Sequence, residues 1–581
     1  MYRSNPTRAA LWSVAFGILL AGAATATAVR AGPAPAAADP LAGALEAVPA
    51  RQGLAVCVGT TDGRLEAGLA DAGMLVHAVS PDRAVVLAVR AKLAEAGKAG
   101  AATVDWVPSL KALPYNDHLA NLLVADLDAN PTLARDEALR VVRPLGVAYL
   151  RSGGAWQVVR KPMPPAMDDW SHFDHGPDGN PQSTDRLVGV PKGLQWHASG
   201  SGTPTSNTRL AGGRWFCGHK ISGPAAKDAP QHFSARDAFN GMLLWRREED
   251  RTVGDLRGVQ ERSLVASDKV VVGLIGEAGP ARVLDAATGK EISVLADGLA
   301  RPLTKKTYGK QPQTLQHVLT DGLLVQAYGP DVVGLDAATG KPRWRWACPE
   351  GQSVAFLVAG GGRAFVGLTR DREFAQFHYQ NWYADLESLA AIDLATGKQA
   401  WSTDAVAGFK SFNLVYHDGA VYTIDSAFKV SVKHPDRLDV AVPYGALVRV
   451  NAADGKLAFR KDLAGVAAKD VAWHNKLRVQ DGALVPTFAN AVRTFSTADG
   501  TEGKTLFELG KGFQDPLPFC STPRGTANGQ LSGKFARFAD FTTQTYTAIT
   551  VGRTRCDEGS YPGYGMIFTG DDGCGCTSWL R

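Results

Sequence analysis

Residues 332–346 read VVGLDAATGKPRWRW, and variants of this stretch recur along the chain. An apolar run ends at Asp336, a Thr-Gly turn contains Gly340, and the returning run carries Trp344. The Asp carboxylate can accept hydrogen bonds from the turn backbone, and Gly permits the positive φ of a tight turn. The stretch therefore predicts two antiparallel strands joined by a tight turn.

Six copies of this stretch align on the turn glycine. The glycines are Gly241, Gly289, Gly340, Gly397, Gly455 and, in a weaker copy, Gly500, at successive distances of 48, 51, 57, 58 and 45 residues. The strand before the turn ends in an acid at Asp237, Asp285, Asp336 and Asp393. The strand after the turn carries Trp245, Trp344 or Trp401, and Phe459 takes this place in another copy. Hairpin signals such as LTDGLLVQAYG fill the intervals, so each unit is expected to be a four-stranded antiparallel blade of a β-propeller.

The repeat resembles the PQQ-like propeller repeat of quinoprotein alcohol dehydrogenases and BamB-type assembly propellers. The resemblance covers residues 193–519 and implies a mainly β chain with seven or eight blades. LQWHASG, with Trp196, resembles an opening strand that closes the ring with a late one.

Quinoprotein enzymes imply a cofactor on the propeller axis. Typical members stack pyrroloquinoline quinone (PQQ) between a Trp and a disulfide of adjacent cysteines, beside a Ca²⁺ held by Glu, Asn and Asp. This chain has no adjacent Cys pair, and no cluster of carboxylates and amides singles out a Ca²⁺ site. We therefore expect no cofactor, with PQQ and Ca²⁺ in a quinone-dependent dehydrogenase as the alternative.

Residues 53–160 show no propeller period. Runs such as GLAVCV, MLVHAVS and AATVDWV alternate with helical segments, which predicts a small Rossmann-like α/β domain with a parallel sheet. The order resembles an S-adenosylmethionine-dependent methyltransferase. The cofactor loop keeps Gly59 and Gly63, and Asp82 lies two residues after the position of the ribose-binding acid. Cys57 and Thr61 replace an acid and a Gly of that pattern, so we expect a degenerate, non-catalytic domain, with residual methyl transfer as the alternative.

Residues 161–192 form a junction that is dense in Asp and His. His172, Asp174, His175 and Asp178 are the types of ligand that hold a divalent metal ion. The alternative is structural, with Trp170 and Phe173 packed between the domains while Asp, Gly and Asn form turns. The junction resembles that of secreted, planctomycete-type propeller proteins, whose molecular activity is unassigned.

The N-terminus predicts export. Residues 1–31 place Arg3 and Arg8 before an apolar stretch and small residues, which is typical of a signal peptide, and residues 32–52 form a Pro/Ala-rich linker. The alternative is a single membrane anchor. After cleavage we expect a secreted or periplasmic protein that is not an integral membrane protein.

Four cysteines lie in the C-terminal segment, residues 520–581. In an oxidising compartment Cys520, Cys556, Cys574 and Cys576 are expected to form two disulfides, with a zinc site as the alternative. The resembled chains continue past the C-x-C pair, which implies a longer protein.

The net charge of +5 on 581 residues gives no reason to expect nucleic acid. An aromatic-rich insertion, REFAQFHYQNWYADLE, suits contact with a protein or carbohydrate, and the alternative is that it caps the ring as part of the core. We therefore expect a non-catalytic binding or scaffolding protein of the cell envelope that contacts protein or envelope polysaccharide through propeller loops.

Overall fold

The chain folds into an α/β domain followed by a β-propeller. The computed structural model describes residues 40–48, 51–197, 203–220, 231–249, 262–276, 280–295, 315–370, 375–377, 381–383, 385–410, 414–426, 445–463, 476–488, 490–510, 523–532, 537–549 and 559–569. Within these ranges no helix is long and apolar enough to cross a membrane.

The α/β domain contains one six-stranded sheet. Its elements are α1 (Pro40–Ala47), β1 (Leu54–Val58), α2 (Arg64–Asp71), β2 (Leu75–Ser80), α3 (Arg83–Glu95), β3 (Ala102–Trp106), β4 (Ala120–Asp126), α4 (Arg135–Val141), β5 (Val142–Ser152) and β6 (Ala155–Arg160). The strand order is β3-β2-β1-β4-β5-β6, and every pair is parallel except β5 with β6. This arrangement confirms the predicted Rossmann-like domain.

Both faces of this sheet are covered. Successive side chains of a strand point to opposite faces, so Ala55 and Cys57 pack with α1, α2 and α3, whereas Val56 and Val58 pack with α4. The connection from β3 to β4 contains no helix, and its side chains Leu110 and Leu113 cover that part of the second face. The domain therefore has a core of its own.

Within the described residues, the propeller contains seven four-stranded antiparallel blades, and the pair Phe409–Asp425 joins the fourth and fifth of them into one eight-stranded sheet. Blade 1 comprises β7 (Thr203–Ala211), β8 (Arg214–Lys220), β9 (Gln231–Asp237) and β10 (Leu243–Glu249), and blade 2 comprises β11 (Val265–Ala266), β12 (Val270–Gly273), β13 (Arg282–Asp285) and β14 (Glu291–Val294). Blade 3 comprises β15 (Gln316–Thr320), β16 (Leu323–Tyr328), β17 (Asp331–Asp336) and β18 (Pro342–Ala347). Blade 4 comprises β19 (Ser353–Gly360), β20 (Arg363–Thr369), β23 (Asp385–Asp393) and β24 (Gln399–Lys410), with the hairpin of β21 (Ala375–Phe377) and β22 (Asn381–Tyr383) inserted between its middle strands.

The later blades repeat this order. Blade 5 comprises β25 (Val415–His417), β26 (Ala420–Asp425), β27 (Ala446–Asn451) and β28 (Leu457–Asp462), and blade 6 comprises β29 (Arg478–Gln480), β30 (Ala483–Val485), β31 (Ala491–Ser496) and β32 (Glu502–Glu508). Blade 7 comprises β33 (Arg524–Gly525), β34 (Gly529–Ser532), β35 (Arg537–Asp540) and β36 (Tyr546–Ala548). The blades thus continue beyond residue 519, where we expected the propeller to end. The last repeat was not recognised in the sequence because it lacks the turn glycine that marks the others.

That last repeat keeps the turn without the glycine. Asp540 accepts hydrogen bonds from the backbone of Thr542 and Thr543 at 2.9 and 2.7 Å, as a repeat Asp does. Gln544 occupies the glycine position with a φ of 55°. Its side chain donates to the carbonyls of Leu506, in blade 6, and Phe541.

A two-stranded sheet occupies an eighth place in the ring. β37 (Tyr561–Gly563) and β38 (Met566–Phe568) pack against blade 1 through Tyr561 and Phe568, and against blade 7 through Ile567. Residues 191–197 form no strand, but Trp196 donates from Nε1 to the carbonyl of Ala238 in blade 1 at 2.9 Å. Trp196 therefore makes the contact that the repeat tryptophans make elsewhere, and the ring has eight places.

The repeat residues join neighbouring blades. Trp344 donates from Nε1 to the carbonyl of Leu394 in the next blade at 2.7 Å, and Trp401 donates to Ala452 at 2.9 Å. Gly455, with a φ of 74°, lies so close to Trp401 that a Cβ would stand 2.7 Å from the ring atom Cδ2. The turn glycine is therefore required for backbone conformation and for close packing of the tryptophan of the preceding blade.

The repeat acids hold the turns themselves. Asp285 Oδ1 accepts hydrogen bonds from the backbone N–H and the hydroxyl of Thr288, both at 2.8 Å. Asp336 and Asp393 make the same pair of bonds with the Thr of their own turns. These carboxylates are engaged in local structure.

Candidate functional site

The segment Asp168–Asp185, here called the axial segment, makes one circuit of the ring. The first strand of each blade lies nearest the axis, and the segment bonds to these strands or the turns that follow them, in ring order. The contacts are Trp170 with Leu210, Ser171 O with Ala266 N, His172 Nε2 with Leu319 N, Pro177 O with Ala359 N, Asp178 O with Tyr416 N, the Asn180 side chain with Val479, and Pro181 O with Gly525 N. At the eighth place Asp168 O accepts from Tyr564 N, and Asp185 Oδ2 accepts from Gly565 N. The axial segment thus closes one end of the axis.

Phe173 lies on the axis itself. Its ring centroid is 5.9 Å from Arg209 Cζ, 4.9 Å from Arg262 Cζ and 5.5 Å from Lys476 Nζ. Arg209 belongs to blade 1, Arg262 precedes blade 2 and Lys476 precedes blade 6. Cations from opposite sides of the propeller therefore contact the Phe173 side chain. Phe173 is 5% exposed, which fills this end of the axis with protein.

Asp174 provides the negative charge beside these cations. Its Oδ2 lies 2.8 Å from Lys476 Nζ and 3.9 Å from Arg262, and both partners of the shorter pair are almost fully buried. Burial lowers the pKa of Lys476 to about 8, and the charge of Asp174 opposes this shift. The pair ties the axial segment to blade 6.

Each of the four residues predicted to bind metal has its own partner. His172 accepts from Leu319 N at 3.0 Å, and burial lowers the pKa of its imidazole to about 3. Asp174 pairs with Lys476, His175 with Asp168, and Asp178 Oδ1 accepts from Asn180 N at 3.2 Å. Within the described ranges, no three or more His, Cys, Asp or Glu side chains are grouped so that they could hold a metal ion. Trp170 and Phe173 are buried as the structural alternative expected, but they pack within the propeller, against Tyr561 and Arg262 among others, and not between the two domains.

Asp168 is the most heavily bonded acid of the axial segment. Its Oδ2 accepts from His175 Nε2 at 2.8 Å, from Ser183 Oγ at 3.0 Å and from Thr184 N at 2.7 Å. Burial alone would raise the pKa of Asp168, but the hydrogen bond and charge of His175 hold it well below its usual range. Burial likewise opposes the charged form of His175, and Asp168 overcomes this and raises the pKa of the imidazole. The two groups form an ion pair.

The next residue, Asp169, differs from Asp168. Its side chain has no hydrogen bond or ion pair with any residue that the structure describes. Burial raises the pKa of Asp169 to about 6, with His175 opposing the shift and Asp168 adding to it. Asp169 therefore changes charge near neutral pH.

The predicted cofactor loop lies at the carboxyl edge of the α/β sheet. Gly59 has a φ of 76°, and the amide of Asn130 lies 2.4 Å from the place where a Cβ would stand. Gly63, with a φ of 80°, precedes α2. Asp82 caps α3 by accepting from Ala84 N at 2.8 Å and Val85 N at 3.3 Å. The structure brings these residues to one edge, but Asn130 covers Gly59 and Asp82 is engaged as a helix cap, so the residues do not fit S-adenosylmethionine.

The opposite edge of that sheet contacts the propeller. Asn121, at the start of β4, donates to Asp237 Oδ2 at 2.7 Å, and Arg143 Nε lies 2.7 Å from the same oxygen. The Asp237 side chain is fully buried, and its Oδ1 accepts from Phe239 N at 2.9 Å. The repeat acid of blade 1 thus serves its turn and the contact between the two domains.

Sequence reasoning did not find the buried cations around the axis. They lie in or beside the inner strands and are almost fully buried: Arg209, Arg262, Lys476, Arg478 and Arg524. The available signal was a basic residue within a strand segment, as in NKLRVQ. Arg and Lys are seldom buried without a partner, so a basic residue at an inner-strand position indicates a buried polar contact.

The predicted disulfide residues Cys520, Cys556, Cys574 and Cys576 lie outside the described residues. Among the described residues, the three remaining cysteines, Cys57, Cys217 and Cys348, form no disulfide. Burial raises the pKa of the Cys217 thiol to about 12, so it is protonated at neutral pH.

Comparison with known proteins agrees with the architecture. Residues 278–435 and 385–531 match the family described as outer membrane protein assembly factor BamB. The repeats are of the PQQ-like type. A search of curated proteins gave no significant match.

Solved structures align with different parts of the chain. BamB from Moraxella catarrhalis is 12% identical with a TM-score of 0.35, and the match covers 60% of this chain and 83% of that one. A quinohemoprotein alcohol dehydrogenase from Pseudomonas putida is 13% identical with a TM-score of 0.30, covering 68% and 82%. A putative S-adenosylmethionine-dependent methyltransferase from Methanococcus maripaludis is 18% identical with a TM-score of 0.18, covering 20% of this chain and 56% of that one.

The described part of the propeller axis does not fit a quinone with Ca²⁺. Phe173 fills the end closed by the axial segment, and the carboxylate beside it, Asp174, is paired with Lys476. The repeat tryptophans donate to neighbouring blades, so they do not form a stacking surface on the axis. No chemistry is therefore assigned through that cofactor.

Proposed function

We propose that this PQQ-like propeller is a non-catalytic binding or scaffolding protein of the cell envelope. The observation that supports this most is the axial segment, which fills one end of the axis and is hydrogen-bonded to all eight places of the ring. The quinoprotein enzymes that the repeat resembles hold their cofactor on the axis, whereas a scaffold needs a rigid ring with loops for contact. The axial segment provides rigidity at the place where chemistry would need space.

The α/β domain supports the same proposal. Asp82 caps α3 and Asn130 packs over Gly59, so the groups nearest to a cofactor loop are engaged within the fold. The edge that contains Asn121 and Arg143 is engaged with Asp237 of the propeller. The domain thus acts as a docked structural unit.

The family description favours the envelope. The matched family is described as an outer membrane protein assembly factor, and this description supports protein contact in the envelope. We infer a secreted or periplasmic location from the N-terminal signal, and protein or envelope polysaccharide as the partner. The net charge of +5 gives no reason to include nucleic acid.

Calorimetry separates this proposal from its two enzymatic alternatives. The whole protein is titrated with PQQ in the presence of CaCl₂ and, separately, with S-adenosylmethionine. We expect no saturable heat from either. Stoichiometric PQQ binding would favour a quinone-dependent dehydrogenase, and S-adenosylmethionine binding that Asp82→Asn removes would favour residual methyl transfer.

The binding role itself is tested by site-specific cross-linking in the cells that make the protein. A photo-reactive residue replaces Trp382 in the aromatic insertion, and a matched variant carries it at Leu87 of α3, which is 67% exposed. We expect one cross-linked envelope component from the insertion and none from α3. Equal products from both positions would contradict loop-mediated binding.

A further inference from the structure

A cavity of about 870 Å³ lies where the α/β domain, the axial segment and blades 2 and 3 meet. Its apolar walls include Leu145 of β5, Met163 and Met167 of the following linker, and Leu319 of blade 3. The volume lies within the usual range of pockets that hold small organic molecules. The cavity is separate from the filled axis and from the cofactor loop of the α/β domain.

The polar floor of the cavity is held in place. Asp168 is bonded to His175, Ser183 and Thr184, and His172 accepts from Leu319 N at 3.0 Å. Tyr564, which is 2% exposed, accepts a hydrogen bond from Gly213 N at 3.0 Å. A ligand would therefore meet a preformed surface.

The charges that line the cavity are unequal. Asp169, Asp268 and Asp321 have no ion pair with any residue in the described ranges, whereas Asp336 pairs with Arg343 and Asp168 pairs with His175. Among the described lining residues Lys269 is the one remaining cation, so the carboxylates of Asp169, Asp268 and Asp321 outnumber the unpaired ammonium groups there. Asp169 is half-buried and unpaired, so its carboxylate has lost part of its hydration without gaining a partner among the described residues. A positive charge beside it would stabilise the charged carboxylate.

We propose that this cavity binds a small organic cation, an alkylammonium group whose aliphatic part packs on Met163 and Met167 and whose charge lies beside Asp169. The methionines supply adaptable apolar contact, and the carboxylates at the hairpin tips Asp268 and Asp321 attract the cation at the mouth. The alkylammonium group can belong to a free polyamine or to a lysine side chain. The site does not depend on whether the axis holds a cofactor.

Isothermal titration of the whole protein tests the proposal with four probes. Cadaverine and N-acetyl-lysine amide carry the alkylammonium group, while pentanediol and glutarate are a neutral and an anionic probe of similar length. We expect saturable binding of at least one amine and none of the other two. Binding of cadaverine alone indicates a polyamine, and binding of the lysine derivative alone indicates a polypeptide. Binding of glutarate or pentanediol as strong as that of the amines, or no binding by either amine, would overturn the proposal.

Matched variants locate the site. Asp169→Asn is expected to weaken amine binding about tenfold, and Asp321→Asn about threefold because Asp321 is exposed. Asp481→Asn is the control, since Asp481 has a φ of 48° in the same hairpin position of blade 6 where Asp321 has 45° in blade 3, and it does not line the cavity. An equal loss in Asp481→Asn would overturn the assignment, and Asp321→Asn keeps the test decisive if Asp169→Asn fails to fold.

Discussion

Asp168 and Asp169 are adjacent in sequence and opposite in behaviour. The first is surrounded by donors and paired with His175, which holds its pKa low. The second has no such donor, and burial raises its pKa to about 6. Asp168 therefore stays charged and holds structure, whereas its neighbour Asp169 titrates near neutral pH. The difference arises because hydrogen-bond donors offset the desolvation of a buried carboxylate, and in the described part of the chain only Asp168 has them.

Asp169 gives a pH-dependent contribution to stability. Its folded pKa lies above the unfolded value of about 3.9, so the native state binds more protons between these values and stability from this group falls as pH rises through that window. The groups that face it are His175, Asp168, Asp268 and Tyr564. Between pH 4 and pH 7 we expect the free energy of unfolding of Asp169→Asn to rise by on the order of 1 kcal/mol relative to that of the native protein, measured by urea unfolding. A difference between the two proteins that does not change with pH would contradict this cause.

At the scale of the elements, the blade turn combines backbone and packing demands. Each repeat Asp holds its own turn, and each repeat Trp reaches the turn of the next blade. These features are local, so six copies could be predicted from the sequence. The copy at Asp540 was missed because Gln544 adopts the glycine conformation and offsets its cost with side-chain hydrogen bonds.

Two glycines of blade 5 separate these demands. Gly455 and Gly419 have φ values of 74° and 72°, but an added Cβ would contact Trp401 only at Gly455 and meets nothing within 4 Å at Gly419. We expect Gly419→Ala to cost about 1 kcal/mol from backbone strain alone. Gly455→Ala should cost about 1–3 kcal/mol more, because the Trp401 ring must move. Equal decreases in the free energy of unfolding of the two variants, measured by chemical denaturation, would show that the contact between Gly455 and Trp401 does not contribute to stability.

At the scale of the whole molecule, three parts of the chain depend on each other. The axial segment bonds to all eight places of the ring, and the α/β domain joins blade 1 through a buried carboxylate. Sequence reasoning identified both folds and the polar character of the junction. It could not find the partners, since Asp174 meets Lys476 and Asn180 meets Val479 across about half the chain, and no local pattern encodes such pairs.

Arg143 tests the coupling between the α/β domain and the propeller. Arg143→Ala would leave the buried carboxylate of Asp237 with a neutral partner, Asn121. We therefore expect the free energy of unfolding to fall by about 2–4 kcal/mol. Arg151→Ala is the matched control, because Arg151 pairs with the more exposed Asp126 at the far edge of the same sheet and should cost under about 1 kcal/mol. Thermal unfolding of both variants gives the comparison, and a smaller loss for Arg143→Ala than for Arg151→Ala would contradict the coupling.

The closure of the axis by the protein's own axial segment is tested most directly by amide hydrogen exchange. The amides to follow are Ser183 within the segment and Ala359, Tyr416 and Gly525, which donate to it from blades 4, 5 and 7. We predict that all four are protected as strongly as the amides within the blades. Rapid exchange at these four amides beside protected blade strands would show that the segment leaves the axis open, and would contradict the proposed scaffold.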